Sequence, residues 1–190
     1  MPLLVAEVVK KYFLSVWCET GPDSDSLLVP ISEYTQEYNS IVEKINLTLH
    51  KEIDRVVRIQ NPYWWVCYLL KKEKCPVAQE KTLFHVTGAN NISSLVMDNF
   101  NWKRVKRTRY GRGVSVSPSP AFANMHYHEN IGFMRAVILA KLLVGYSIMG
   151  NYGTKIPPSP YDTTVRKTCN VYVIYYDKEF YLEYVAYYRN

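Results

Sequence analysis

At 190 residues the chain suits one domain with a real core, and its 48% hydrophobic and 14% aromatic content excludes a wholly disordered chain. A formal charge of +6 favours an anionic partner, whether a dinucleotide, a nucleic acid or an acidic protein face. Cys18, Cys67, Cys75 and Cys169 form no CxxC pair and lack the His spacing of a zinc site, so neither a metal centre nor a disulfide framework is expected.

No apolar run approaches the roughly 20 residues of a membrane span, so no membrane association and a cytoplasmic or nuclear setting are expected. Leu4, Val5, Val8, Val9, Tyr12 and Phe13 fit one helical face, with a strand as the alternative, and Glu7, Lys10 and Lys11 interrupt the stretch too early for a signal peptide. Gly21 to Ser26 then break the chain. This predicts an extension over 1–27 and a domain over 28–190.

Ser32 is the predicted cap of a helix reaching Thr48, because Tyr34, Tyr38, Ile41, Ile45 and Leu49 recur at spacings of three and four. Residues 53–60, IDRVVRIQ, alternate as a strand does, and Asn61-Pro62 then supply the cap and first position of a helix through YWWVCYLLKK. Trp64 and Trp65 on that helix are assigned to the core. Leu83 and Phe84 end a strand that delivers His85 into a turn closed by Thr87-Gly88. A basic stretch follows, with Lys103, Arg104, Lys106, Arg107, Arg109 and Arg112 around Trp102 and Tyr110, and YGRG leads into the next strand.

SPSPAFANMHYH predicts a loop entering a short helix, and MRAVILAKLLVG a long buried strand. Residues 145–169 are rich in Gly, Pro, Ser and Thr without periodicity, which predicts a long loop. NVYVIYY and EFYLEYVAYY around Asp177-Lys178 have the spacing of a hairpin. Strands that outnumber helices and are joined by short turns predict an α+β domain with antiparallel pairing.

LFHVT, from Leu83 to Thr87, and YGRGVS, from Tyr110 to Ser115, resemble the LFHGT and YGKGxYFA motifs of the poly(ADP-ribose) polymerase family, in particular its mono-ADP-ribosylating branch with CCCH zinc-finger-type members. RIQNPYWW resembles the RIQNP-x-LW segment of that family, and Tyr161-Asp162-Thr163 its YDS segment. The resemblance covers roughly residues 28 to 188. It implies the ADP-ribosyltransferase fold, two mostly antiparallel sheets with a cleft for NAD, which is the substrate. It also implies acceptor proteins as partners.

Carried over residue by residue, the resemblance makes His85 the histidine that holds ribose hydroxyls through its ring nitrogens. Val171 falls where polymerising members have the glutamate that supports elongation, and a valine can neither take a proton nor polarise a hydroxyl. Ser115 falls where the family has a tyrosine ring against nicotinamide. Val86 replaces the glycine whose backbone clasps the nicotinamide amide, bringing a β-branched side chain that crowds it, and Thr87 continues that segment. Ala123 stands where a family serine donates to the amide, and the second stacking aromatic falls on His126 or Tyr127.

Two function classes follow. One is an enzyme that transfers ADP-ribose from NAD to a protein side chain with release of nicotinamide. The other is a catalytically silent module that keeps the fold for binding NAD, ADP-ribose, protein or RNA. The basic stretch 102–112, with its two rings, adds RNA as a candidate partner, with a solvated loop as the alternative.

Overall fold

A computed structural model describes residues 17–18, 27–105, 109–125 and 133–189. The predicted N-terminal element, the break at Gly21 to Ser26, His126, Tyr127, Lys106 and Arg107 lie outside the described residues, apart from Trp17 and Cys18.

The α+β expectation holds as two sheets. The first has the order β1 (Leu27–Ile31), β2 (Ile53–Gln60), β9 (Phe180–Arg189), β5 (Met134–Val144), β3 (Gln79–Gly88), antiparallel throughout. The second has the order β4 (Val114–Val116), β8 (Tyr172–Ile174), β7 (Thr163–Val165), β6 (Ser147–Met149), with only β6 and β7 parallel. Phe84 of β3 joins the two sheets: its N–H donates to the Ser117 carbonyl at 2.7 Å, and its carbonyl accepts from the Ser117 N–H at 2.9 Å.

Each face of the first sheet buries its own cluster. On one side Ile41 and Ile45 of α1 (Gln36–Asn46) pack with Val56, Phe84, Val86, Val137 and Leu139. On the other, Ile92 and Val96 of α3 (Ile92–Asp98) and Phe100 pack with Leu83, Ile138 and the inward residues Val114, Val116 and Ile174 of the second sheet. The alternation of β3 therefore sends Leu83 and His85 toward the second sheet and Phe84 and Val86 toward α1.

The helix expected from Ser32 is capped by Thr35 instead, whose side chain accepts from the Tyr38 N–H at 3.2 Å. Ser32 closes the turn before it, its carbonyl taking the Thr35 N–H at 3.1 Å. Asn61 and Pro62 open α2 (Pro62–Lys74) as expected, the Asn61 side chain accepting from the Trp64 N–H at 3.1 Å. Trp65 is buried against Tyr68, Tyr181 and Trp17, while Trp64 is half-buried and donates through Nε1 to the Met97 carbonyl at 2.9 Å.

Three expectations are corrected. Residues 145–169 are not simply loop, because they hold β6 and β7. Those strands are three residues long: β6 buries none of its residues, and β7 buries threonines, the Thr164 hydroxyl donating to the Tyr110 carbonyl at 2.6 Å and lying 2.7 Å from the Tyr175 hydroxyl. The tail is not a hairpin, since β8 and β9 belong to different sheets. Asn99 fixes that crossover, its side-chain N–H groups donating to the carbonyls of Asp177 and Phe180 at 3.2 and 3.1 Å. Thr87 and Gly88 do not close a turn after His85 but continue β3, and the chain bends only at Ala89.

Candidate active site

Of the positions that the sequence singles out, His85 and Ser115 meet at the junction of the two sheets, and Val171 lies on the face of the second sheet that carries the Ser115 side chain. His85 Nδ1 lies 2.9 Å from the Ser115 carbonyl. A carbonyl can only accept, so Nδ1 carries the proton, and the neutral ring presents Nε2 as a lone pair. Burial pushes the His85 pKa below its ordinary value against the opposing effect of the Ser115 carbonyl, which keeps the ring neutral at pH 7. Phe100 meets the ring edge-on at 4.9 Å and fixes its plane. Only one ring nitrogen is thus free for a ligand hydroxyl, whereas the sequence expectation engaged the ring nitrogens together.

Ser115 stands opposite Val173 in the pairing of β4 with β8, so both side chains share one face of the second sheet. The same row continues through Thr164 and Ile148. Val171 lies two residues before Val173, on the same face, and is 6% exposed. Val171, Val173 and Tyr175 form a buried floor, against which Tyr110 and Phe122 pack. Ser115 itself is exposed.

The glycines of YGRG follow from this floor. Gly111 has φ +125°, and a Cβ there would strike the Tyr175 hydroxyl and come within 2.9 Å of Thr164 Oγ1. A Cβ on Gly113 would run into the Ile174 carbonyl. The loop can approach β7 and β8 only without side chains at these two positions.

Val86 is buried in the cluster on the α1 side, opposite His85, and Ala123 of α4 (Pro120–Met125) packs against that cluster. The β-branched side chain of Val86 therefore packs into that cluster, on the face of β3 opposite His85. Its backbone is placed differently. Phe84 bonds Ser117 on the edge of β3 away from β5, and alternation turns the N–H and C=O of Val86 to that same edge. Thr87 is buried, its Oγ1 accepting from Asn91 Nδ2 at 2.8 Å.

Sequence reasoning missed Phe122 and Arg166. Phe122 precedes Ala123 on α4 and covers the Val171 floor. The Arg166 guanidinium lies 5.6 Å from the Phe122 ring centre and 5.9 Å from that of Tyr110. Periodicity could not find either residue, because α4 spans six residues and Arg166 follows a strand of three. In the basic stretch, Trp102 and Tyr110 are half-buried, Trp102 against the inter-sheet core and Tyr110 against the floor, while Lys103, Arg109 and Arg112 are exposed.

A split α+β fold with a histidine at the junction of two mostly antiparallel sheets defines a domain of the ADP-ribosyltransferase type. Sequence comparison agrees. The chain is 27% identical over 185 residues to human protein mono-ADP-ribosyltransferase PARP12, covering 88% of this chain and 26% of that protein. It is 26% identical over 185 residues to mouse PARP12, with the same coverage. It is 30% identical over 178 residues to human protein mono-ADP-ribosyltransferase PARP14, covering 80% of this chain and 10% of that protein. The chain thus spans about a quarter of the PARP12 proteins and a tenth of PARP14. No protein-family model matches. The chain is a relative of the PARP catalytic domains, in their mono-ADP-ribosylating branch. Among the described residues no helix is long and apolar enough to cross a membrane.

Proposed function

We propose that the cleft binds NAD and that the domain transfers one ADP-ribose from it to a protein side chain, releasing nicotinamide. The observation that carries this reading is the His85 tautomer, fixed by the Ser115 carbonyl so that Nε2 can accept from a ribose hydroxyl. The backbone of Val86, on the open edge of β3, serves the nicotinamide amide. When the ribose–nicotinamide bond breaks, its electron pair leaves on the pyridine nitrogen. The acceptor atom then bonds to the ribose carbon and gives up any proton it carries to solvent. Val171 offers no carboxylate to activate a second ribose hydroxyl, so transfer stops at one unit.

Ser115 favours a second reading, a module that holds NAD or ADP-ribose without turnover, because a hydroxyl stands where the family tyrosine would press on nicotinamide. Calorimetry with NAD, run beside a labelled-NAD transfer assay, separates the two. Binding with transfer supports the enzyme, binding without transfer supports the module, and no binding refutes both.

A further inference from the structure

We propose that Arg166 is a specificity residue of this cleft that grips the phosphates of the ligand; this rests on the NAD reading above. Arg166 follows β7, and its backbone is held on both sides: its N–H donates to the Val171 carbonyl at 3.0 Å, and its carbonyl accepts from the Cys169 N–H at 2.8 Å. The loop 166–171 thereby ties the residue to the position at which the family glutamate is missing.

The side chain is half-buried and within cation–π range of both Phe122 and Tyr110, the two rings over the Val171 and Val173 floor. Cation–π contact engages the faces of a guanidinium and leaves its N–H edge available. The ion pairs of the described residues lie elsewhere, and among these residues no carboxylate or carbonyl takes that edge. A planar fork of donors, braced by rings and free of a partner among the described residues, matches two oxygens of a phosphate better than a neutral amide or a hydroxyl. On the floor that Val173, the partner of Ser115, helps to form, it supplies binding that does not depend on a ring at position 115. The chemistry recognised is a nucleoside diphosphate.

The test compares the parent chain with Arg166→Gln and Arg166→Lys by calorimetry against NAD, ADP-ribose and nicotinamide, the last having no phosphate. Thermal melts report that each variant is folded. One charge-assisted bidentate contact predicts a loss of about tenfold to a hundredfold for NAD and ADP-ribose in Arg166→Gln, partial recovery in Arg166→Lys, and no change for nicotinamide. If Arg166→Gln does not fold, Arg166→Lys decides, a severalfold loss confined to the phosphate ligands being expected. Equal affinities for NAD in parent and variant overturn the Arg166 assignment and leave the NAD reading standing. Tighter binding in Arg166→Gln also overturns it, because the guanidinium would then be filling the ligand's space. Absence of NAD and ADP-ribose binding in parent and variants alike overturns both.

Discussion

Restoring a ring at Ser115 tests how much the missing tyrosine matters. The His85 anchor is the backbone carbonyl of Ser115, so Ser115→Tyr leaves it in place and alters only the side chain. That side chain is exposed, opposite Val173, in a strand conformation that tyrosine favours. An aromatic contact with the ligand is worth about 0.5–1.5 kcal/mol beyond burial, which is roughly twofold to tenfold in Kd. At saturating NAD a tenfold tighter Kd adds about 1.4 kcal/mol to stability, and for a domain of this size that raises the ligand-dependent gain in Tm by about 3–6 °C. Thermal melts with and without NAD, with calorimetry for Kd, read both quantities. A folded Ser115→Tyr whose NAD affinity equals or falls below the parent's would refute the reasoning and point to Phe122, which covers the same floor.

With labelled NAD any product should be a single ADP-ribose, and a ladder of polymer on a gel would contradict the role given to Val171. Val171→Glu puts a charge at a position only 6% exposed, so it should cost about 2 kcal/mol or more by denaturant titration. Gly111→Ala forces a side chain onto φ +125° and into the Tyr175 hydroxyl, and a loss of about 1–3 kcal/mol is expected in the same titration. Burial raises the Glu179 carboxyl to about 7, with Lys71 at 3.0 Å opposing the rise. The fold therefore favours the protonated acid: this contribution is complete below about pH 4.5 and is lost as pH rises through 7, by roughly 3 kcal/mol at most. Glu179→Gln should flatten that part of the stability profile between about pH 4.5 and 7, and an unchanged slope would show that other groups set it.

The parts of the fold read from sequence are those in which local chemistry is decisive. Asn61-Pro62 opens a helix because one residue caps it and the other needs no N–H, and the apolar run of β5 is buried as its composition demands. The tail has the spacing of a hairpin, whereas the crossover to the other sheet is held by Asn99, some 80 residues away in the chain. Strands β6 and β7 leave no apolar period, because β6 buries none of its three residues and the buried residues of β7 are threonines satisfied by hydrogen bonds. At the candidate site, family likeness singles out His85, Ser115 and Val171; the structure joins His85 to the Ser115 backbone and sets Val171 on the sheet face that carries the Ser115 side chain. The likeness did not show that the Ser115 backbone is the histidine's partner, since any residue there supplies the same carbonyl. Phe122 and Arg166 became visible only when α4 and the loop after β7 met over one floor.

In the function proposed for this domain, His85 holds NAD through Nε2. Calorimetry of a non-hydrolysable NAD analogue against the parent and a folded His85→Ala variant tests it most directly. The variant loses a hydrogen bond to the ligand and should bind at least about tenfold more weakly. Equal affinity in the two proteins, or no binding by the parent, would contradict the account.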